Sequence, residues 1–229
     1  MFHFIYKGKF DCLISKGTFE MYIQNLYHSI KKHCGITYNP KKITITMETD
    51  ETRKKNMSGT SGWTDFGKKY PDYEIVLHFF GYPKKEQTFD ILNWFFEKIV
   101  THELFHIFIP DILGNSCWTE GVTEFMMIWY NDIVNNTNTM REYNLELQHK
   151  YNEITDETYK AHRYGYITGF KKMAALYTKN PSVIEDIKKS MKERDYRKNY
   201  TDADIIAYNP KFKTFFTSRC NKHIPHVFT

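Results

Sequence analysis

The sequence predicts an α+β fold with its strands early in the chain and its helices late. Two observations carry this. Short runs rich in β-branched and aromatic residues, at 2–6, 43–47 and 74–80, all fall in the first eighty or so positions. After Asp90 the apolar spacing is mainly helical. Size is the third guide: 229 residues suit one compact domain, 1–229, with two lobes. Residues 1–85 make an α/β lobe, a small sheet with a helix and an edge strand, and residues 86–229 a mainly helical lobe.

Taken in order, Phe2–Tyr6 and Phe10–Ile14 suggest a short hairpin turning at Gly8. Thr18 is placed to cap a helix running to about Cys34, with Phe19, Tyr22, Ile23, Leu26 and Ile30 on its apolar face, and Gly35 stops it. Ile43–Met47 and Glu74–Phe80 read as strands. Between them Glu51 to Tyr73 is polar and contains Gly59, Gly62 and Gly67, which predicts a long loop beside a cleft. Asp90 to Pro110 reads as an amphipathic-to-buried helix that the proline ends. Gly114 and Asn115 supply a break, Ser116 or Thr119 a cap, and Val122 to Tyr130 a further apolar helix. His162 opens another helix that continues through Tyr177.

Within the Asp90–Pro110 helix, His102-Glu103-Leu104-Phe105-His106 stands out. Helical positions i and i+4 lie about 40° apart, so His102 and His106 share a face one turn apart. Two imidazole nitrogens so placed reach one zinc ion at roughly 2.0–2.1 Å each. Glu103 stands beside the first ligand, able to act as a base without coordinating. So apolar a helix makes an inert role for three polar side chains costly. A third ligand is needed, and Glu120 opens the next helix, with Glu124 one turn on along the same face; either can return to the metal.

HELFH followed by Trp118-Thr119-Glu120-Gly121 resembles the gluzincins, zinc peptidases whose third ligand is a glutamate on the next helix. The pattern is nearest to the aminopeptidase N-like and glycyl-aminopeptidase-like branches. Those carry Trp-x-x-Glu-Gly, one residue more than stands here. The resemblance implies a zincin (thermolysin-like) fold, with Glu120 as the third ligand and Glu124 as a carboxylate receiving the ring N–H of His102. It also implies an edge strand that binds the substrate backbone, for which Glu74–Phe80 is the candidate, with His78 lining the cleft or packed. Tyr166-x-x-Gly169 resembles the element that supplies the catalytic tyrosine, so Tyr166 would donate to the oxyanion, with Tyr164 the alternate. Gly169 lets that helix approach closely. Arg163 is placed to hold a substrate carboxylate or to face water. The substrate-amine element Gly-x-Met-Glu-Asn is not matched by Met47-Glu48-Thr49, so exopeptidase and endopeptidase both stay open.

The expectation is a zinc-dependent metallopeptidase acting on peptides or proteins, with Glu103 as general base. The alternative is a zinc-binding interaction protein of the same fold without turnover. The net charge of +5 comes from scattered lysines and no nucleic-acid module accompanies it, so no nucleic-acid partner is expected. No apolar run approaches the ~20 residues of a membrane span, and Met1 to Gly8 lacks signal-peptide architecture. Four scattered cysteines without a CxxC pair agree with reduced thiols in a cytoplasmic protein.

Overall fold

The computed structural model describes residues 1–49, 62–68, 72, 74–81, 84–109, 116–153, 155 and 157–193. The expected break at Gly114 and Asn115 and the Pro110 stop lie outside the described residues. The architecture is α+β. The chain forms two compact units: one holds Met1–Phe108, joined by the segment that begins at Met191, and the other holds Ile109–Ser190. The helices from Phe89 to Phe108 belong to the first unit and pack with its sheet.

In the first unit, β1 (Phe2–Lys7), β2 (Lys42–Glu48), β3 (Gly62–Lys68) and β4 (Glu74–Phe80) form a sheet in the order β1-β2-β4-β3. β1 and β2 pair in parallel, as do β2 and β4, while β3 runs antiparallel along β4. The hairpin expected over Phe2–Ile14 therefore does not form. The partner of β1 is β2, with Phe2 opposite Ile43. Phe10 instead turns its ring edge-on to Tyr6 and Phe19, 5.2 and 5.5 Å away between centroids.

The connection between β1 and β2 is α1 (Lys16–Cys34). Its cap is Ser15, whose hydroxyl accepts from the Thr18 amide, and not Thr18. Gly35 ends it at φ 68°, a left-handed position that costs a glycine nothing.

The Glu51–Tyr73 segment is also more than a loop, since β3 occupies its second half; residues 50–61 lie outside the described set. β3, not Glu74–Phe80, is the edge next to the helices, and β4 is internal. Ile43, Ile45 and Met47 of β2 and Ile75, Leu77 and Phe79 of β4 are fully buried on one face. Phe19, Ile23 and Tyr27 of α1, with Phe105 and Phe108 farther along the chain, are likewise completely buried or within 1 % of it. Tyr27 lies 5.1 Å from Phe108 between ring centroids, and burial alone pushes its phenol pKa well up.

The helical stretch after β4 has three parts: α2 (Phe89–Trp94), a π-helical turn (Phe95–Val100) and α3 (Thr101–Phe108). Thr88 caps α2 through its hydroxyl.

The second unit is built from α4 (Ser116–Asn135), α5 (Met140–Glu153), α6 (Glu157–Lys179) and most of α7 (Val183–Glu193). Residues 121–130 of α4 are all buried. α4 turns into α5 at Asn136 (φ 52°), where one oxygen of Asp132 accepts from the Thr139 amide and from the hydroxyls of Thr137 and Thr139, each at 2.8 Å. α4 and α6 cross at two glycines. A Cβ built on Gly121 would stand 2.4 Å from the Gly169 Cα, so the two backbones touch there. Among the described residues no helix is long and apolar enough to cross a membrane. Cys12 and Cys34 stand as thiols.

Candidate metal centre

α3 carries the whole HELFH segment, and the π turn directly ahead of it sets its facing. A π turn holds one residue more than an α turn, which rotates every later side chain by about 100° around the axis. Thr101 steadies the junction by donating its hydroxyl to the Phe96 carbonyl at 2.8 Å. Immediately after it come His102, 7 % exposed, and Glu103, 6 % exposed, with His106 half-buried one turn on.

The two imidazoles converge. Their Nε2 atoms are 3.1 Å apart, with the ring planes 77° to each other. Two ligands on one tetrahedral zinc, bonded at about 2.0–2.1 Å, stand about 3.3 Å apart. The spacing fits a shared ion. It also fits a direct N–H···N bond with the rings in complementary tautomers, and metal content separates the two.

Glu103 is held from the sheet. The Thr64 hydroxyl of β3 donates to its Oε2 at 2.7 Å and lies 3.2 Å from its backbone oxygen. Gly62, two residues earlier on the same strand, makes room for the side chain. A Cβ there would stand 3.0 Å from the Glu103 Cγ and 3.2 Å from Oε1. Sequence reasoning missed both residues because it placed them in a loop. The available signal was alternation, with Thr64 flanked by Trp63 and Asp65.

Glu120 lies in the first turns of α4 and is half-buried. His102, His106 and Glu120 are, among the described residues, a group that could hold a metal ion. Two ring nitrogens and one carboxylate oxygen make a donor set that suits zinc. Glu124 is buried, 6 % exposed, and accepts a hydrogen bond from the Tyr143 hydroxyl of α5. No feature of the sequence pointed to Tyr143.

Tyr166 lies on α6, half-buried, one turn before Gly169. Because Gly169 rests on Gly121, Tyr166 and Glu120 each fall within about one turn of the same helix crossing. Arg163 and Tyr164 lie on α6 as well, with side chains outside the described set, as are those of Ser116, Cys117 and Trp118 on α4.

His78 serves elsewhere. It alternates onto the sheet face opposite Leu77 and Phe79, with its ring 4.9 Å from that of Trp63 and its Nδ1 3.7 Å from a Glu48 oxygen. Burial lowers its pKa below the ordinary imidazole value, with the Glu48 charge opposing and Lys7, 2.7 Å from Glu48, reinforcing the drop.

No family model matches the chain, and no curated protein matches it.

Proposed function

We propose that this chain is a zinc-dependent metallopeptidase of the zincin (thermolysin-like) kind, gluzincin in its ligand set. His102, His106 and Glu120 hold the metal, and Glu103 is the general base. One observation carries the reading: two histidine nitrogens 3.1 Å apart on a buried helical turn, with the intervening carboxylate drawn aside by Thr64. Histidines that served packing alone would need no separately anchored glutamate between them.

Neutral His102 and His106 and ionised Glu120 together carry one negative charge, which leaves a divalent ion with positive charge to spare. Zinc bound there would supply Lewis-acid polarisation of a peptide carbonyl and acidify water. Glu103 takes the proton from the attacking water and returns it to the leaving amine. Its low exposure keeps bulk water from competing for that proton. Glu124 serves as the carboxylate that fixes the His102 ring, itself anchored by Tyr143. Tyr166, or Tyr164 beside it on α6, gives a hydroxyl to the developing oxyanion. Arg163 is available for a substrate carboxylate. The edge strand β3 offers backbone groups to an extended peptide, the role first expected of Glu74–Phe80.

The test is metal analysis after purification without chelators, paired with cleavage of an unbiased peptide library by wild type and Glu103→Gln. About one zinc per chain is expected in both proteins, with turnover lost by about 10²–10⁴-fold or more in the variant. Zinc absent from wild type, or near-normal cleavage by Glu103→Gln, refutes the proposal.

A further inference from the structure

We infer that Thr64 is a positioning residue for the general base, and that Gly62 and Thr64 of β3 form a cradle that fixes the Glu103 carboxylate. The inference rests on the peptidase reading of Glu103 and adds to it a component supplied by the sheet. A glutamate has three side-chain torsions, and helix geometry alone does not choose among their rotamers. A base, however, must present one oxygen to the reacting water within hydrogen-bond reach.

β3 removes the ambiguity in two ways. Thr64 donates to Oε2 at 2.7 Å, which fixes one carboxylate oxygen. The same hydroxyl lies 3.2 Å from the Glu103 backbone oxygen, so it spans the residue from main chain to carboxylate. Gly62 then sets the space on the Oε1 side. Its missing Cβ would stand 3.2 Å from that oxygen, 3.0 Å from Cγ and 3.3 Å from the His78 carbonyl behind it. Contacts that short are not ordinary van der Waals contacts, and the carbonyl is backbone that cannot swing away. A side chain at 62 therefore requires the Glu103 side chain to give by a few tenths of an ångström.

The pattern assigns separate jobs to the two structural parts: α3 supplies the metal-directed imidazoles, and the edge strand supplies the aim of the base. Thr64 is not in the proposed ligand set, so removing its hydroxyl should alter proton transfer and leave metal binding intact.

The experiment uses the full-length chain and four variants: Thr64→Val, Thr64→Ser, Gly62→Ala and Glu103→Gln. Valine keeps the shape and deletes the donor; serine keeps the donor. For each, zinc stoichiometry and affinity are read by competition with a chromophoric chelator, and kcat and KM on a peptide that wild type cleaves. Thr64→Val should lower kcat about 10- to 100-fold, with KM and zinc affinity within about twofold of wild type. Thr64→Ser should recover most of that loss, and Gly62→Ala should resemble Thr64→Val. In the Glu103→Gln background the valine substitution should have no further effect, since its action passes through that carboxylate. A kcat for Thr64→Val within twofold of wild type overturns the inference, as does serine as impaired as valine, or a loss that tracks zinc affinity. These results leave the peptidase reading standing, because that reading fails on a separate result, normal cleavage by Glu103→Gln.

Discussion

The close crossing of α4 and α6 at Gly121 and Gly169 invites a direct test. In Gly121→Ala the new methyl carbon would lie 2.4 Å from the Gly169 Cα, 2.6 Å from its carbonyl carbon and 2.8 Å from the Phe170 nitrogen. Ordinary contact begins about 1 Å farther out, and all three obstructing atoms are backbone, so no side chain can rotate to relieve the clash. The helices must part or slide. Overpacking of this kind costs about 1–3 kcal/mol. Alanine in place of glycine inside a helix returns at most about 1 kcal/mol of propensity. The clash wins. The expected net loss is about 1–2 kcal/mol, or about 2–8 °C in Tm for a chain of this size.

The matched control is Gly17→Ala. Gly17 is an exposed residue in the first turn of α1, and a Cβ built there meets nothing within 4 Å. That substitution should be neutral or stabilise by up to about 1 kcal/mol. Urea titrations of both variants beside wild type make the comparison. Glu120 adjoins Gly121 in sequence, so the α4 variant should also bind zinc about tenfold or more weakly. If Gly121→Ala is as stable as wild type while Gly17→Ala behaves as stated, the backbone contact does not carry the packing assigned to it.

Two further outcomes follow from buried polar groups. Tyr143→Phe keeps the ring contact with Phe170, 5.4 Å between centroids, but takes one donor from the buried Glu124 carboxylate. Urea denaturation should show a loss of about 1–3 kcal/mol, and a change below about 0.5 kcal/mol would dismiss the bond as a stabilising element. His78 makes stability depend on pH. Its folded-state pKa is below the ordinary value, chiefly through burial, so the folded state binds the proton less readily than the unfolded state. Its contribution is complete above the ordinary imidazole pKa of about 6.5 and is lost as pH falls through that value toward the lowered one. Melting curves at about pH 7.5 and about pH 5.5 should therefore show a larger acid-induced drop in wild type than in His78→Gln. Equal drops would show that burial beside Trp63 does not hold the His78 pKa down as described.

Much of the fold was legible because the signals were local. Strands β2 and β4 announce themselves by β-branched and aromatic residues, and α1 by its apolar period and its terminal Gly35. The failures have a common cause, which is that strand partners are chosen at long range. Phe10–Ile14 has a strand-like composition, yet β1 takes β2 as its partner and Phe10 packs its ring edge-on against Tyr6 and Phe19. Gly62–Lys68 has the glycines and polar residues of a loop, and becomes a strand because β4 offers it a free edge. The π turn over Phe95–Val100 carries no compositional mark either, since its residues differ from an α-helix only in their hydrogen bonding.

The candidate site divides along the same line. His102, Glu103 and His106 are readable because one helical turn fixes their spacing, and nothing outside the turn is needed to see it. Thr64 is invisible in the sequence for the opposite reason. Its relation to Glu103 spans 39 residues and exists only once the antiparallel edge strand has formed. The glycines make the same point in a sharper form. Gly62 and Gly67 were grounds for assigning a loop, whereas Gly62 is a residue whose missing side chain makes room for the catalytic candidate. A glycine that disfavours a strand by propensity can still be required in it, when the space its side chain would fill belongs to another residue. The same holds at Gly121, inside a helix where alanine would be the better helix former. In both places the local cost of glycine marks a close approach that helps build the proposed site.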